Sequence, residues 1–197
     1  MDRGSRMFRA ECPTKHTWRP GVAGAAAERG ALRLVWLTAQ AIATGALRSA
    51  ALRTAVSYVL VVRLRRPFAG LVGKLGRCRL EPGHYLYVGS ARRGMARRVA
   101  RHVRRQKVRR WHIDYLTSAR AATVLGVVLS ADQSECMLRK YLQERGCLPV
   151  LPGFGASDCS SGCESHLLRL AERDFLPVDL LRNEAQDGVQ TFVLGAL

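Results

Sequence analysis

Acidic residues are scarce in this chain of 197 residues: 15 Asp and Glu stand against 32 Lys and Arg, which gives a formal net charge of +17. Such an excess predicts a surface that attracts polyanions through electrostatic steering and counterion release. Nucleic acid is the first partner that the charge indicates. An anionic membrane surface is the alternative partner. A coding bias toward arginine would give the same composition without any partner.

Long apolar runs and a cleavable secretory signal are also missing. Arg33 and Arg48 interrupt the most apolar region, so no stretch reaches the roughly 18 apolar residues that a membrane span needs. No charged start is followed by a small-residue cleavage site. The cysteines are unevenly spread and include no Cys-x-x-Cys pair. We therefore expect a soluble, cytoplasmic protein with reduced cysteines and no membrane partner.

The length predicts one well-cored domain with an appendage. We expect an Arg/Ala-rich extension over 1–54 that is partly disordered or helical, a domain over 55–175 and a tail over 176–197. Apolar residues between Leu32 and Leu52 predict one alanine-rich helix in the extension. The same composition is typical of an organelle transit peptide or of a start codon placed too early.

The domain reads as α+β, a small antiparallel β-sheet flanked by helices. Three strands are predicted at 58–64, 70–80 and 85–88, paired in that order through short connections, and another at 123–129. A basic helix begins near Met95, a second runs over 132–145 with Asp132 as N-cap, and a short one over 166–173.

The stretch 83–102 joins a strand, a glycine turn at Gly89 and the basic helix that carries Arg98 and His102. Glycine lets a backbone approach a ligand closely. An arginine can hold a phosphate by two parallel hydrogen bonds, and a histidine one helical turn later can bind phosphate or pass a proton. The alternative is that Arg98 is a solvated charge and His102 a core histidine.

Tyr58 and Tyr87 lie near the ends of strands that can place both hydroxyls at one cleft. A tyrosine can position a water, or take its proton if a cation lowers the tyrosine pKa. The alternative is that both are ordinary strand residues. Tyr85 shares the face of Tyr87, and the pattern does not separate the two.

Outside the cleft, four arginines on the outer side of the basic helix and a nearby histidine are candidate nucleic-acid contacts: Arg97, Arg101, Arg104, Arg105 and His112.

Glu135 lies on the side of its helix that it shares with Leu138 and Leu142, where a carboxylate needs a cation or a metal. Asp132-x-x-Glu135 also has the spacing of a capping box, which would give Glu135 a structural role. The two interpretations require different rotamers and stay open.

A loop rich in glycine, serine and cysteine contains Cys159, Cys163 and His166, which suggest a structural metal. Zinc needs a fourth ligand, and Asp158 or His112 could supply it only if the fold brings them in. A loop held by hydrogen bonds and helix capping is the alternative.

Several of these motifs occur together in one order. They are Tyr87-Val88-Gly89-Ser90-Ala91, Arg98 with His102, Trp111 to Leu116, Glu135-Cys136, and Gly153 to Cys159. In this combination the chain resembles the GIY-YIG nuclease superfamily, and specifically a small branch that has these motifs. The resemblance covers residues 56–168.

The resemblance implies a small antiparallel sheet with flanking helices and hydrolysis of a DNA phosphodiester with Mg²⁺ or Mn²⁺, in a protein that acts in DNA repair. Tyr58 and Tyr87 then correspond to the two signature tyrosines, and Tyr58 orients or deprotonates the attacking water. Arg98 balances charge on the phosphorus, and Glu135 holds the metal. His102 and His112 assist at the cleft.

The chain departs from the pattern at three places. Val56-Ser57 replaces a glycine-containing start before Tyr58, the spacing from Cys159 to Cys163 is longer than the family's cysteine pair, and only Asp158 is available in place of a catalytic asparagine. The hypotheses at this point are a metal-dependent DNA endonuclease, a nucleic-acid-binding module on the same fold without catalysis, and a zinc-stabilised partner-binding domain.

Overall fold

The structure is a computed structural model that describes residues 32–44, 50–91, 93–170 and 189–194. The rest of the extension, with the transit-peptide interpretation, and the tail over 176–188 lie outside the described residues. The described elements are β1 (Leu32–Thr38), α1 (Ala39–Thr44), α2 (Ala50–Thr54), β2 (Ser57–Leu64), β3 (Phe68–Leu71), a 3₁₀ turn (Gly73–Leu75), β4 (Arg77–Leu80), β5 (Gly83–Ser90), α3 (Met95–Val103), α4 (His112–Thr117), β6 (Ala122–Ser130), α5 (Glu135–Glu144), β7 (Leu148–Pro149), β8 (Leu167–Arg169) and β9 (Val189–Leu194).

Within the described part, seven strands form one antiparallel sheet in the order β7-β8-β5-β2-β6-β1-β9. β2 is the central strand and is buried along its whole length except at Arg63. Its continuous β-branched run fits this place, because a strand covered on both faces needs apolar residues at successive positions. The predicted class, an α+β fold with an antiparallel sheet and flanking helices, is confirmed.

Successive residues of β2 point to opposite faces of the sheet. Tyr58 and Leu60 face the layer formed by α1 to α4, where Met95 and Val99 of α3 are buried. The other face packs against α5. Tyr58 and Tyr87, two of the candidate site residues, lie on the α3 side of the sheet. None of the described helices has the length and apolar content to cross a membrane.

The single helix predicted between Leu32 and Leu52 is wrong at its start. Residues Leu32–Thr38 form β1, which pairs with β6 on one side and β9 on the other. Among the described residues of this segment, only α1 and α2 are helical. Trp36 is 1% exposed in this sheet. Pairing with a distant strand therefore overrides the local alanine-rich pattern.

The predicted pairing of 70–80 with its neighbours is also wrong. β3 and β4 form a separate two-stranded sheet around the 3₁₀ turn, and β2 pairs directly with β5 and β6. Because both edges of β2 are occupied, the segment between β2 and β5 has no strand to join.

Two helix boundaries need correction. α5 begins at Glu135 and not near Asp132, because the Ser134 hydroxyl accepts the Met137 N–H and caps the helix. The short helix expected over 166–173 is replaced in its described part by β8, which completes the sheet beside β5.

Candidate active site

Tyr58 and Tyr87 meet on one face of the sheet. Tyr58 pairs with Gly89 across β2 and β5, and Tyr87 lies two residues before Gly89, so both side chains point to the same side. Their ring centroids are 6.4 Å apart. A Cβ on Gly89 would lie 2.5 Å from the Tyr58 hydroxyl oxygen. The glycine is therefore required for the position of the Tyr58 ring.

Tyr85 shares this face but not this site. Its hydroxyl donates a hydrogen bond of 2.7 Å to the Glu81 carbonyl, at the end of β5 away from Gly89. The structure thus separates the two tyrosines that the sequence pattern could not.

His102 contacts both tyrosines of the cleft from α3. Its Nε2 lies 2.8 Å from the Tyr58 hydroxyl, and its ring centroid is 6.2 Å from that of Tyr87. The ring is 1% exposed. Burial, together with the Lys107 charge, lowers the His102 pKa to about 3. His102 is therefore a neutral hydrogen-bond partner at pH 7.

Arg98 lies one turn before His102 and also reaches the tyrosines. Its guanidinium stands 4.7 Å from the centroid of the Trp111 ring. Burial and the Tyr87 hydroxyl raise the Tyr58 pKa, while the Arg98 charge and its hydrogen bond to Tyr58 lower it. Burial dominates, so Tyr58 is a protonated phenol in the resting protein. Arg98 is held by an aromatic face on one side and a tyrosine on the other.

Glu135 reaches the cleft from the N-terminus of α5. Because Ser134 caps this helix, Glu135 is its first residue and not the third residue of a capping box. Its charge acts on both Tyr58 and Tyr87, raising the pKa of each, so its carboxylate lies near both rings. The structure therefore brings the five predicted catalytic side chains to one cleft: Tyr58, Tyr87, Arg98, His102 and Glu135.

A glycine loop closes one side of the cleft. Gly155 has a φ of +70°, and a Cβ there would lie 2.7 Å from the Tyr87 ring. The Gly155 N–H donates to His112 Nδ1 at 3.1 Å, and Phe154 is packed 6.0 Å from Tyr87 between ring centroids. His112 thus holds this loop in place, which differs from the nucleic-acid contact expected of it.

Asp114 is a structural residue that the sequence did not single out. It is fully buried, and its Oδ2 accepts hydrogen bonds from Arg101 Nη2 at 2.7 Å and from the backbone of Arg110 and Trp111 at 2.9 and 3.0 Å. Lys107 Nζ lies 4.0 Å from the other oxygen. Burial opposes ionisation, but these donors lower the Asp114 pKa. We call Arg101, Lys107 and Asp114 the Asp114 network.

The predicted nucleic-acid contacts divide into two groups. Arg101 belongs to the Asp114 network, and Arg105 donates to the Ala122 carbonyl at 3.3 Å. Arg97 and Arg104 are exposed. Arg105 is also exposed, so Arg97, Arg104 and Arg105 have surface available to a polyanion, whereas Arg101 is half-buried.

The cysteine loop forms a second cluster, next to the first. Cys136, Cys159, Cys163 and His166 each place one ligand atom so that all four atoms lie within 4.8 Å of one another. Burial raises the Cys159 pKa, but hydrogen bonds from the backbone of Cys163 and Ser161 outweigh it and leave a pKa of about 6. The predicted set of Cys159, Cys163 and His166 is joined by Cys136, and neither Asp158 nor His112 is part of it.

Comparison with known proteins defines the family. The model of DUF123, described as a domain of unknown function, matches residues 57–186, well over half of the chain. The chain belongs to the DUF123 family. No curated protein and no solved structure matches it. The match covers the cleft and the cysteine loop, and β1 lies before it.

Proposed function

We propose that this DUF123 protein is a metal-dependent endonuclease that hydrolyses DNA phosphodiester bonds, in the manner that its resemblance to GIY-YIG nucleases implies. The observation that carries the proposal is the convergence of two tyrosines, an arginine, a neutral histidine and a carboxylate from four separate elements on one cleft. A purely structural cluster would not need Arg98 and Glu135 directed at the same two hydroxyls.

Arg98 is suited to bind the scissile phosphate. A guanidinium presents parallel donors that match phosphate oxygens, and its charge balances the negative charge that grows on them in the transition state. Stacking on Trp111 restricts the orientation of the Arg98 side chain. Arg98 and the Tyr87 hydroxyl would thus hold the phosphate between α3 and β5.

Tyr58 is suited to orient the attacking water. Its hydroxyl is fixed by His102 Nε2, which stays neutral and therefore does not compete for the phosphate as a cation. The phenol is protonated at rest because burial raises its pKa. Tyr58 therefore acts by accepting a hydrogen bond from the water, while the Arg98 charge partly offsets the rise in the Tyr58 pKa that burial causes.

The site fits a hard divalent cation. Glu135 is half-buried at a helix N-terminus, and Mg²⁺ is commonly held by one or two carboxylates together with waters and substrate phosphate oxygens. Glu135 would hold the ion, which when bound supplies Lewis-acid stabilisation of phosphate charge. Thiolates are poor ligands for Mg²⁺, so the cysteine cluster is not its site.

A nicking assay on supercoiled, branched and damaged DNA with Mg²⁺ or Mn²⁺ tests the proposal. We expect Glu135→Gln to lower the nicking rate by about 10³-fold or more, because metal-ion stabilisation contributes several kcal/mol. Glu144→Gln is the matched control, since Glu144 lies on the same helix and pairs only with Lys140 at 3.7 Å among the described residues. DNA binding, followed by fluorescence anisotropy, should persist in both variants.

Catalysis and binding are separable in this assay. If the wild-type chain binds DNA but nicks none of these substrates with either ion, the endonuclease proposal is wrong and the binding-module hypothesis replaces it. Equal loss of nicking in Glu135→Gln and Glu144→Gln would also reject the role of Glu135.

A further inference from the structure

We propose that Cys136, Cys159, Cys163 and His166 form a closed four-ligand zinc site that ties the N-terminus of α5 to the cysteine loop. Zinc in structural sites takes four tetrahedral thiolate and imidazole ligands. Three cysteines and one histidine are one of the usual sets. This site is separate from the oxygen-ligand site proposed at Glu135.

The distances suit one shared ion. Zn–S bonds of about 2.3 Å in a tetrahedron place two sulfurs about 3.8 Å apart. Cys136 Sγ and Cys159 Sγ are 3.5 Å apart, and all four ligand atoms lie within 4.8 Å of one another. The S–S bond of a disulfide is about 2.05 Å. The sulfurs are therefore arranged around a common point and not bonded in a pair.

His166 supplies an independent observation. Its side chain is 2% exposed, and its Nε2 has no hydrogen-bond partner among the residues that the structure describes. A buried polar atom without a partner is costly, by about 1–3 kcal/mol. A metal ion in the cluster would satisfy it, whereas a loop held only by hydrogen bonds leaves it unexplained.

The loop backbone is shaped for thiolates. The backbone of Ser161 and Cys163 lies close enough to the Cys159 sulfur to lower the pKa of its thiol. Gly162 has a φ of +66°, which turns the chain between Cys159 and Cys163. Backbone donors around a ligand sulfur are the outer-shell interactions that orient metal ligands. This turn also accommodates the longer spacing between the two cysteines.

The site links two walls of the cleft. Cys136 follows Glu135 on α5, and the same loop carries Gly155, which packs on Tyr87. Zinc would therefore fix the distance between Glu135 and Tyr87. This positioning role rests on the proposed endonuclease function, whereas zinc binding itself does not.

Elemental analysis and X-ray absorption on the full, untagged chain, purified with reductant, test the site. We expect about one zinc per chain, with an absorption fine structure fitted by three sulfurs at about 2.3 Å and one nitrogen at about 2.0 Å. Zinc at background level, or a shell rich in oxygen, would overturn the proposal. This measurement needs no variant and so does not depend on a mutant that folds.

Variants then assign the ligands. Cys136→Ser should lose the zinc, Cys136→His should retain it, and Cys78→Ser is the matched control, because Cys78 lies in the β3–β4 hairpin and its thiol donates to the Gly76 carbonyl. A chelator should lower the melting temperature of the wild type and of Cys78→Ser. Retention of zinc by Cys136→Ser, or its loss from Cys78→Ser, contradicts the assignment.

The two proposals fail in different ways. A zinc-loaded chain that nicks no DNA contradicts the endonuclease alone. A zinc-free chain that nicks DNA through Glu135 contradicts the zinc site alone.

Discussion

Two carboxylates lie near Tyr87, and the fold uses them differently. Asp114 is fully buried, and its partners are Arg101, Lys107 and the backbone N–H of Trp111 just before α4. Glu135 is half-buried, and the described residues offer it no hydrogen bond or ion pair. A carboxylate satisfied inside the chain supports the structure, whereas one directed at tyrosines without a partner is available to a ligand. Substitutions at and around the two carboxylates should therefore have different effects on stability and on activity.

The first prediction separates the two carboxylates by stability. Asp114→Ala should lower the free energy of unfolding by about 3–5 kcal/mol, because it leaves Arg101 and Lys107 as uncompensated charges. Glu135→Ala should change it by less than about 1 kcal/mol, the value of a helix N-terminal charge. Urea unfolding followed by circular dichroism measures both. Equal losses would remove the distinction.

The second prediction concerns the glycine under Tyr58. Gly89→Ala should destabilise the fold by about 1–3 kcal/mol, because its Cβ would lie 2.5 Å from the Tyr58 hydroxyl. It should also reduce nicking by moving that hydroxyl. Gly70→Ala is the control, since its Cβ would meet Phe68 at an ordinary 3.5 Å. A stable and active Gly89→Ala protein would show that the Tyr58 position is not constrained.

The third prediction follows from the neutral state of His102. Its folded pKa of about 3 lies below the usual histidine pKa of 6.5, so the unfolded chain binds more protons at pH values between the two. Stability should therefore fall as the pH drops, by about 1 kcal/mol from His102 between pH 7 and pH 5.5. The difference in this slope between the wild type and His102→Gln measures the contribution. An unchanged slope would mean that His102 has the same pKa in the folded and the unfolded chain.

The fourth and smallest effect tests the arginines of α3. Arg104→Ala should change the free energy of unfolding by no more than about 0.5 kcal/mol. It should also make the slope of log K for DNA binding against log salt concentration shallower by about 0.9, the value for one phosphate contact. Arg101→Ala should instead lower stability, because it breaks the bond to Asp114. Titration of DNA binding at several salt concentrations, beside urea unfolding, distinguishes the two. A reversed pattern would place the DNA on the other side of the helix.

The sequence was sufficient to predict those helices and strands that depend on residues close together in the chain. The apolar run of β2, the strand before Gly89 and the stripe from Met95 to His102 all appear as predicted, within one or two residues. β1 and β8 were missed because each exists through pairing with a strand distant in sequence. Register is a tertiary property that a short apolar segment does not specify.

The candidate site likewise contains contacts between distant residues that local sequence patterns do not predict. Tyr58, Arg98 and Glu135 could be proposed because their residue types and motifs are distinctive. Asp114 could not, because an acidic residue in an aromatic segment has no signature until its donors are brought around it. Cys136 was separated from the other cluster members by element and by 23 residues from Cys159. Only the fold joins them.

The place of β1 in the sheet bears on how the protein can be shortened. The family match begins at residue 57, after this strand, yet β1 occupies one edge of β6 and contributes the buried Trp36. A chain trimmed to the family boundary would expose the unpaired backbone of β6 next to an apolar surface, which is a template for intermolecular strand addition. Low solubility or self-association of this shortened chain would then be caused by the truncation and would not be a property of the intact domain.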